Sequence, residues 1–547
     1  MPHHSPGLAR LAMTVLQPGF DGTAPPDWLR RALAEGLGGA VLFARNLTDP
    51  AQTAGLVAEL RRENPAVVVA VDEEGGAVTR LEARTGSSWP GNRALGVAGD
   101  VERTEQVARE IGRLLAAADI TLDYAPVVDV NANPANPVIG IRSFGPDPEL
   151  VARQATAWIA GLQGAGVAAC AKHFPGHGDT VTDSHHALPT VHASLELLRE
   201  RDLPPFQAAV KAGVRAVMCG HLLVPSLDPD NPATLSRRIM TGLLREELGF
   251  DGLLVTDAIE MGAVAALHSP GEIAVRALAA GADAICVGTS SPAGESVHAL
   301  REAIVEAVRE GRLPEDRLAE AAARVLALAD WHAGNAATRA KNAREGREEG
   351  GEGEALGEGE ALGLRAARAA MRVVVADARA ARPLAAGTAD FTGVAPIADV
   401  PAADAAGTTN GSEGSGGSPA RPVISRPPLV VDIASRLNLA VDPSTPIGLI
   451  GAMSELLPST LGHTLTAETA ELPDLSDHGR PLILVVHDAS RHAWVRELVA
   501  RAVRLRPDAV VVETGLPGEP IGAIYIATHG ISRVSARAAA LWLTGGQ

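Results

Sequence analysis

The sequence predicts an α/β protein: a (β/α)8 TIM-type barrel followed by a second, smaller α/β domain. Three observations carry this. Eight short, nearly continuously apolar runs alternate with helical stretches over residues 1–337. Several of those runs end in charged or histidine residues. A Gly/Glu-rich segment then precedes a second, shorter α/β alternation.

The eight runs are Ala12–Leu16, Gly39–Phe43, Ala66–Asp72, Thr121–Val128, Val167–His173, Ala216–His221, Gly252–Asp257 and Ala282–Val287. Continuous apolar character is what parallel strands buried on both faces require. Helices are predicted between them at Asp49–Glu63, Glu102–Ala118, Pro148–Gln163 and Ser194–Lys211, the last with Ser194 as N-cap. Pro314–His332 has Pro at its start, an acidic first turn and an Ala/Leu-rich interior, and is predicted to close the first domain.

Residues 338–363 are Gly/Glu low complexity without an apolar face and are expected to be a solvated linker. The second domain, 364–547, is expected to hold strands at Met371–Val375, Leu429–Asp432, Pro446–Ile450, Leu482–Val486 and Asp508–Glu513. A flexible insert is expected near 404–419.

Composition narrows the function. The 547 residues carry 48 Lys plus Arg against 65 Asp plus Glu, a net charge of −17. That balance argues against nonspecific nucleic-acid or anionic-membrane partners, which need basic patches. Only 3% of residues are aromatic, so Ala, Val, Leu and Ile must build the core. The three cysteines, Cys170, Cys219 and Cys286, lie singly in apolar runs and read as buried hydrophobes in a reducing compartment. The first residues lack an uninterrupted apolar segment of the export type, and no apolar run is long enough to cross a membrane, so a cytoplasmic location is expected.

A doubly wound sheet fits the β/α alternation nearly as well. The polar residues favour the barrel. Strand three runs into Asp72-Glu73-Glu74, strand four is followed by Asp129 and Arg142, strand five ends in Lys172-His173, strand six in His221 and strand seven in Asp257. In a parallel barrel these ends converge on one mouth, where active sites lie.

The densest cluster is KHFPGHGDT at 172–180, followed by Asp183-Ser184-His185-His186. His177, Asp179, Asp183, His185 and His186 suit a metal site. The i, i+2 spacing of Asp183 and His185 equally suits a dyad whose carboxylate orients an imidazole. A polar surface loop is the third reading.

KHFPGHGDT followed by DSH resembles the signature of glycoside hydrolase family 3, in its β-N-acetylhexosaminidase branch. The resemblance extends in family order through VDEEGGAVTRL at 71–81, APVVDVNANPANPVIGIRSFG at 125–145, GHLLVP at 220–225 and LLVTDAIEMGAV at 253–264. A weaker resemblance to the family's second domain covers 513–539.

The resemblance implies that Asp257 is the catalytic nucleophile, that His185 is the general acid/base and that Asp183 is its partner. It implies sugar-binding positions at Asp72, Arg80, Arg142, Lys172 and His173; His221, at the end of strand six, joins them as a substrate-binding candidate. It implies no metal and no cofactor, and a GlcNAc-containing oligosaccharide as substrate. The chemistry agrees: retaining cleavage needs a carboxylate to trap an oxocarbenium-like centre and an acid to protonate the leaving oxygen. An imidazole titrates near neutrality, so it can be protonated for the first step and neutral for the second. A phosphorylase on the same residues, a β-glucosidase and a noncatalytic sugar-binding protein are the alternatives.

Overall fold

A computed structural model describes residues 6–288, 294–341, 357–376, 423–435 and 439–546. They pack as two units: Met1–Ala366 with Leu437–Pro446, and Ala367–Arg436 with Ile447–Gln547. Among the described residues no helix is long and apolar enough to cross a membrane.

The first unit is the barrel. Its strands are β1 (Leu16–Pro18), β2 (Gly39–Leu42), β3 (Val68–Val71), β4 (Leu122–Asp123), β5 (Ala168–Phe174), β6 (Ala216–Cys219), β7 (Leu253–Thr256) and β8 (Ile285–Val287). Strands β2 to β7 pair in sequence order, all parallel, and β1 pairs with β8. Parallel bridges Gly19–Val41 and Val255–Ala284 join β1 to β2 and β7 to β8, so the eight strands form one ring.

Alternation along the strands builds two cores. Val68, Ala70, Ala168, Cys170, Ala216, Met218, Leu253 and Val255 share an inner cluster with Tyr124 and Cys286. Their neighbours Val67, Val69, Val71, Val217, Leu254 and Ile285 belong to the outer cluster with the surrounding helices. This period of two is the pleat of a strand buried on both faces.

The helix Glu315–Gly334 places Val325, Leu328 and Ala329 in the inner cluster. Arg317 and Arg324 of the same helix reach Asp283, just before β8, at 2.6 and 3.3 Å. The helix therefore covers the N-terminal end of the barrel, opposite the mouth.

Local signals explain most helix starts. Asp49, Asp100 and Asp147 accept hydrogen bonds from first-turn backbone N–H groups, and Pro follows Asp49 and Asp147 at the first helical position. Ser194 caps as predicted. The helix expected at Ser194–Lys211 is instead interrupted: a π-turn at Leu198–Asp202 precedes a fresh start at Pro204, where the Pro204-Pro205 pair lacks the N–H groups a continuous helix needs.

Three other expectations are corrected. Ala12–Leu16 is not a strand: Pro6–Thr14 is helical and β1 starts at Leu16. Leu8, Ala12 and Met13 share its buried face, and a short apolar run does not distinguish that face from a strand. Pro446–Ile450 is a turn entering the helix Ile450–Leu456. Gly448 there has φ 85°, the left-handed region, which breaks a strand. The Gly/Glu segment is helical at both described margins, Thr338–Lys341 and Glu358–Gly363, and buries Leu362. Its middle and the insert at 404–419 lie outside the described residues.

The second unit is a six-stranded sheet. Its strands are β9 (Arg372–Val375), β10 (Leu429–Ile433), β11 (Leu461–Leu465), β12 (Leu482–Val486), β13 (Val510–Glu513) and β14 (Ile524–Ala527). Their order is β11-β10-β12-β13-β14-β9, parallel except for β9. Apolar clusters line both faces, one including Val495 and Leu498, the other Ala539 and Leu543.

Candidate active site

The residues following the C-terminal ends of β3, β4, β5, β6 and β7 build the mouth of the barrel. They form two linked groups, joined through the neighbours Lys172 and His173 on β5.

The first group is an ionic network around Lys172. Its ammonium is 2.6 Å from Asp72 Oδ1 and 2.7 Å from Glu74 Oε1. Arg142 forks onto Glu74, with Nε donating to Oε2 at 2.9 Å and Nη2 to Oε1 at 2.7 Å. Arg80 Nη2 lies 3.8 Å from Asp72 Oδ2, and Arg80 Nη1 donates to the Ala440 carbonyl at 2.8 Å. Ala440 belongs to the Leu437–Pro446 segment of this unit.

Burial raises the Glu74 pKa, but the charges of Arg142 and Lys172 outweigh it and hold the carboxyl well below its ordinary range. Burial lowers the Lys172 pKa, and Asp72 and Glu74 reverse that, so the ammonium stays charged. Only such pairing makes buried charge tolerable. The Asp72 side chain is 21% exposed, against 2% for Lys172 and 3% for Glu74. Asp72 is therefore the carboxylate of this network that reaches the mouth.

The second group surrounds Asp257, which follows β7. Burial pushes its carboxyl up, but His221, His173 and His185 and the Ala258 N–H bring it below the ordinary range. The N–H of Ala258 donates to Asp257 Oδ1 at 2.9 Å. Asp257 is thus held as an anion with three imidazoles near it.

Each imidazole is oriented differently. His173 Nδ1 lies 2.8 Å from Asp129 Oδ2. Asp129 is fully buried and also accepts from the His177 N–H at 2.7 Å. His221 has both ring nitrogens engaged, with Thr234 Oγ1 at 2.7 Å and the Ala258 carbonyl at 3.0 Å. Nε2–H donates to the Ala258 carbonyl, Thr234 Oγ1 lies between Nδ1 and the Gly220 carbonyl, to which it donates at 3.1 Å, and burial lowers the pKa of the ring. His185 Nδ1 lies 2.7 Å from Asp183 Oδ1, which also accepts the His185 N–H at 2.9 Å. The two side chains remain 24% and 15% exposed, accessible from the mouth.

The other polar residues of the loop have partners of their own. His177 Nδ1 and Nε2 are taken by Thr180 and Ser184. Asp179 pairs with Arg201 at 2.9 Å. Among the described residues no group of three or more His, Cys, Asp or Glu is arranged to hold a metal. Of the contacts the loop's readings call for, the Asp183–His185 hydrogen bond is present. The mouth can therefore supply a carboxylate, an adjacent imidazole acid/base and charged donors for hydroxyls.

All nine site candidates lie in these two groups. Sequence reasoning missed Glu74 as the counter-ion of Lys172 and Arg142, Asp129 as the support of His173, and Thr234 as the partner of His221. The signal for Asp129 was present, a carboxylate at a strand end. Its pairing across 44 residues was not readable from spacing.

Comparison with known proteins gives concordant results. Residues 24–328, more than half of the chain, match the family described as "Glycosyl hydrolase family 3 N terminal domain". A "Beta-hexosaminidase A" of Pseudoalteromonas piscicida is 33% identical over 347 residues, 59% of this chain and 56% of that protein. The chain thus spans little more than half of that relative's length. A "Beta-hexosaminidase" of Pseudomonas aeruginosa is 42% identical over 255 residues, 45% of this chain and 74% of that protein. Among solved structures, a glycoside hydrolase family 3 beta-N-acetylglucosaminidase from Paenibacillus sp. str. FPU-7 superposes with a TM-score of 0.79 at 32% identity. That match covers 98% of this chain and 96% of the other.

Proposed function

The chain belongs to glycosyl hydrolase family 3, and from that premise we propose that it is a retaining exo-β-N-acetylglucosaminidase. Its substrate is a terminal, nonreducing GlcNAc on a cell-wall muropeptide or chitooligosaccharide. The reaction runs in the cytoplasm.

In the first step Asp257 attacks the anomeric carbon and the glycosidic C–O bond breaks. His185, as imidazolium, gives its proton to the departing oxygen. In the second step neutral His185 takes a proton from water, whose oxygen displaces Asp257 and releases β-GlcNAc. Asp183 orients the ring and stabilises its cation. Asp72, Lys172, Arg142 and Arg80 bind the sugar hydroxyls, and charged donors and acceptors make those bonds strong. His173 and His221 flank Asp257 and favour its ionised form. These steps use side chains alone.

The observation that carries the reading is that one mouth holds both Asp257, whose carboxyl is kept below its ordinary range by His221, His173 and His185, and a His185 ring whose Nδ1 lies 2.7 Å from the Asp183 carboxylate. The relatives' names support the sugar, and the TM-score of 0.79 extends that support along the chain.

The test is incubation with p-nitrophenyl β-GlcNAc, with and without phosphate, and identification of the sugar product by mass. Free GlcNAc at a phosphate-independent rate supports the hydrolase. GlcNAc-1-phosphate with phosphate-accelerated release makes the protein a phosphorylase. Release of glucose from the β-glucoside at a higher rate overturns the sugar assignment.

A further inference from the structure

We propose that Ser184, His177 and Gly262 are positioning residues that clamp the acid/base loop from two sides and so fix where His185 delivers its proton. The proposal rests on the reading of His185 as acid/base and names the groups that act through it.

One jaw of the clamp is His177. Its Nε2 lies 3.1 Å from the hydroxyl of Ser184, the residue between Asp183 and His185. Thr180 Oγ1 donates to the His177 carbonyl at 3.1 Å, so its lone pairs are left to accept from His177 Nδ1–H at 2.8 Å. That assigns Nε2 as the acceptor and Ser184 O–H as the donor. Burial brings the ring down to a pKa of about 4, which keeps it neutral and able to accept. His177 is in turn fixed to the mouth of the barrel by its N–H on Asp129, the carboxylate that also holds His173. Gly178 beside it packs where a Cβ would meet the Val130 carbonyl at 1.8 Å, so this stretch lies directly on the barrel.

The other jaw is the turn that follows Asp257. The N–H of Gly262 donates to the His185 carbonyl, and that of Ala263 to the Ser184 carbonyl, each at 3.2 Å. A Cβ on Gly262 would meet the His186 carbonyl at 2.6 Å and the His185 carbonyl at 3.0 Å. Both are backbone atoms of the loop, so a larger residue must push the loop away. The chain that carries the nucleophile candidate thus carries, five residues later, the seat for the acid.

The clamp matters because the stretch around the dyad is partly open to solvent. Ser184 is buried at 2%, whereas Val181 is 70% exposed and His186 is exposed. A dyad side chain on such a loop is only as well placed as its backbone, and small displacements of a catalytic group are costly.

The experiment uses the full chain with Ser184→Ala, Ser184→Thr and Gly262→Ala. Each is assayed on β-GlcNAc glycosides from 2,4-dinitrophenyl, which needs no acid, to the terminal linkage of chitobiose, which does. Ser184→Ala and Gly262→Ala are expected to lower kcat about tenfold or more on chitobiose, while 2,4-dinitrophenyl cleavage changes less than about twofold. Ser184→Thr keeps the hydroxyl and is expected to recover most of the loss. Should Gly262→Ala fail to fold, the two Ser184 variants decide alone. Equal losses on all leaving groups, no loss at all, or no recovery by Thr overturn the clamp. An inactive wild-type chain would instead overturn the reading of the site, which separates the two failures.

Discussion

Replacing Asp183 by Asn keeps the shape of the dyad and removes its charge. Asp183 Oδ1 accepts from His185 twice, from the backbone N–H at 2.9 Å and at ring Nδ1 at 2.7 Å. Burial pushes the Asp183 carboxyl up, and its bonds to His185 more than reverse this, so it is ionised at working pH. A hydrogen bond to a charged group contributes about 1.5–3 kcal/mol, against about 1 kcal/mol for a neutral one. The ring bond strengthens as His185 gains its proton, so the difference, roughly 0.5–2 kcal/mol, falls on the protonated acid. At 1.36 kcal/mol per decade that is about 2- to 30-fold in the rate of the acid-dependent step. The side chains are partly exposed, which favours the lower half of that range. The assay is kcat/KM across β-GlcNAc aryl glycosides of rising leaving-group basicity. The slope is expected to steepen in Asp183→Asn, with the 2,4-dinitrophenyl substrate nearly unaffected. A uniform loss across the series would refute the dyad reasoning and make Asp183 a structural loop residue.

Three further outcomes are expected. Lys172→Met leaves Asp72 and Glu74 facing each other without their shared ammonium; a loss of about 3–5 kcal/mol of stability is expected, together with weakened sugar binding, read by thermal unfolding and KM. Asp283→Asn removes the carboxylate charge that Arg245, Arg317 and Arg324 share at the barrel base, and should lower the melting temperature while kcat of the folded fraction stays unchanged. Glu73 is held by burial at a pKa of about 7, against an ordinary 4.5. A raised carboxyl binds its proton more tightly folded than unfolded, so stability falls as pH rises from about 4.5 to about 7. Glu73→Gln cannot ionise, so its unfolding free energy should match wild type near pH 4.5 and exceed it above pH 7, by on the order of 3 kcal/mol at 1.36 kcal/mol per unit. Denaturant titrations at the two pH values check this, and a pH-independent difference would contradict it.

The barrel was legible because strands buried on both faces leave long apolar runs, and Val68–Val71 and Leu253–Thr256 lie inside the predicted ones. What failed was amphipathic or edge structure. Pro6–Thr14 offers the same apolar letters as a strand. Leu461–Leu465, at the edge of the second sheet, is mostly exposed and has no apolar run to find. Ile524–Ala527 lies inside the stretch with the weaker resemblance and forms a strand that the apolar pattern does not predict. At the site, residue types at strand ends were readable but their pairing was not. Glu74 reads as a spare acid until Arg142, 68 residues away, is seen forked onto it. His221 reads as an open ligand until Thr234 and Ala258 take both its nitrogens.

Retaining cleavage by this site passes through a covalent glycosyl intermediate on Asp257. The most direct measurement is trapping with a fluorinated, activated GlcNAc donor, followed by peptide mapping by mass spectrometry. One glycosylated peptide with the sugar on Asp257 is expected, and no adduct in Asp257→Ala. A sugar on another residue, or α-GlcNAc as the first product by NMR, would contradict it.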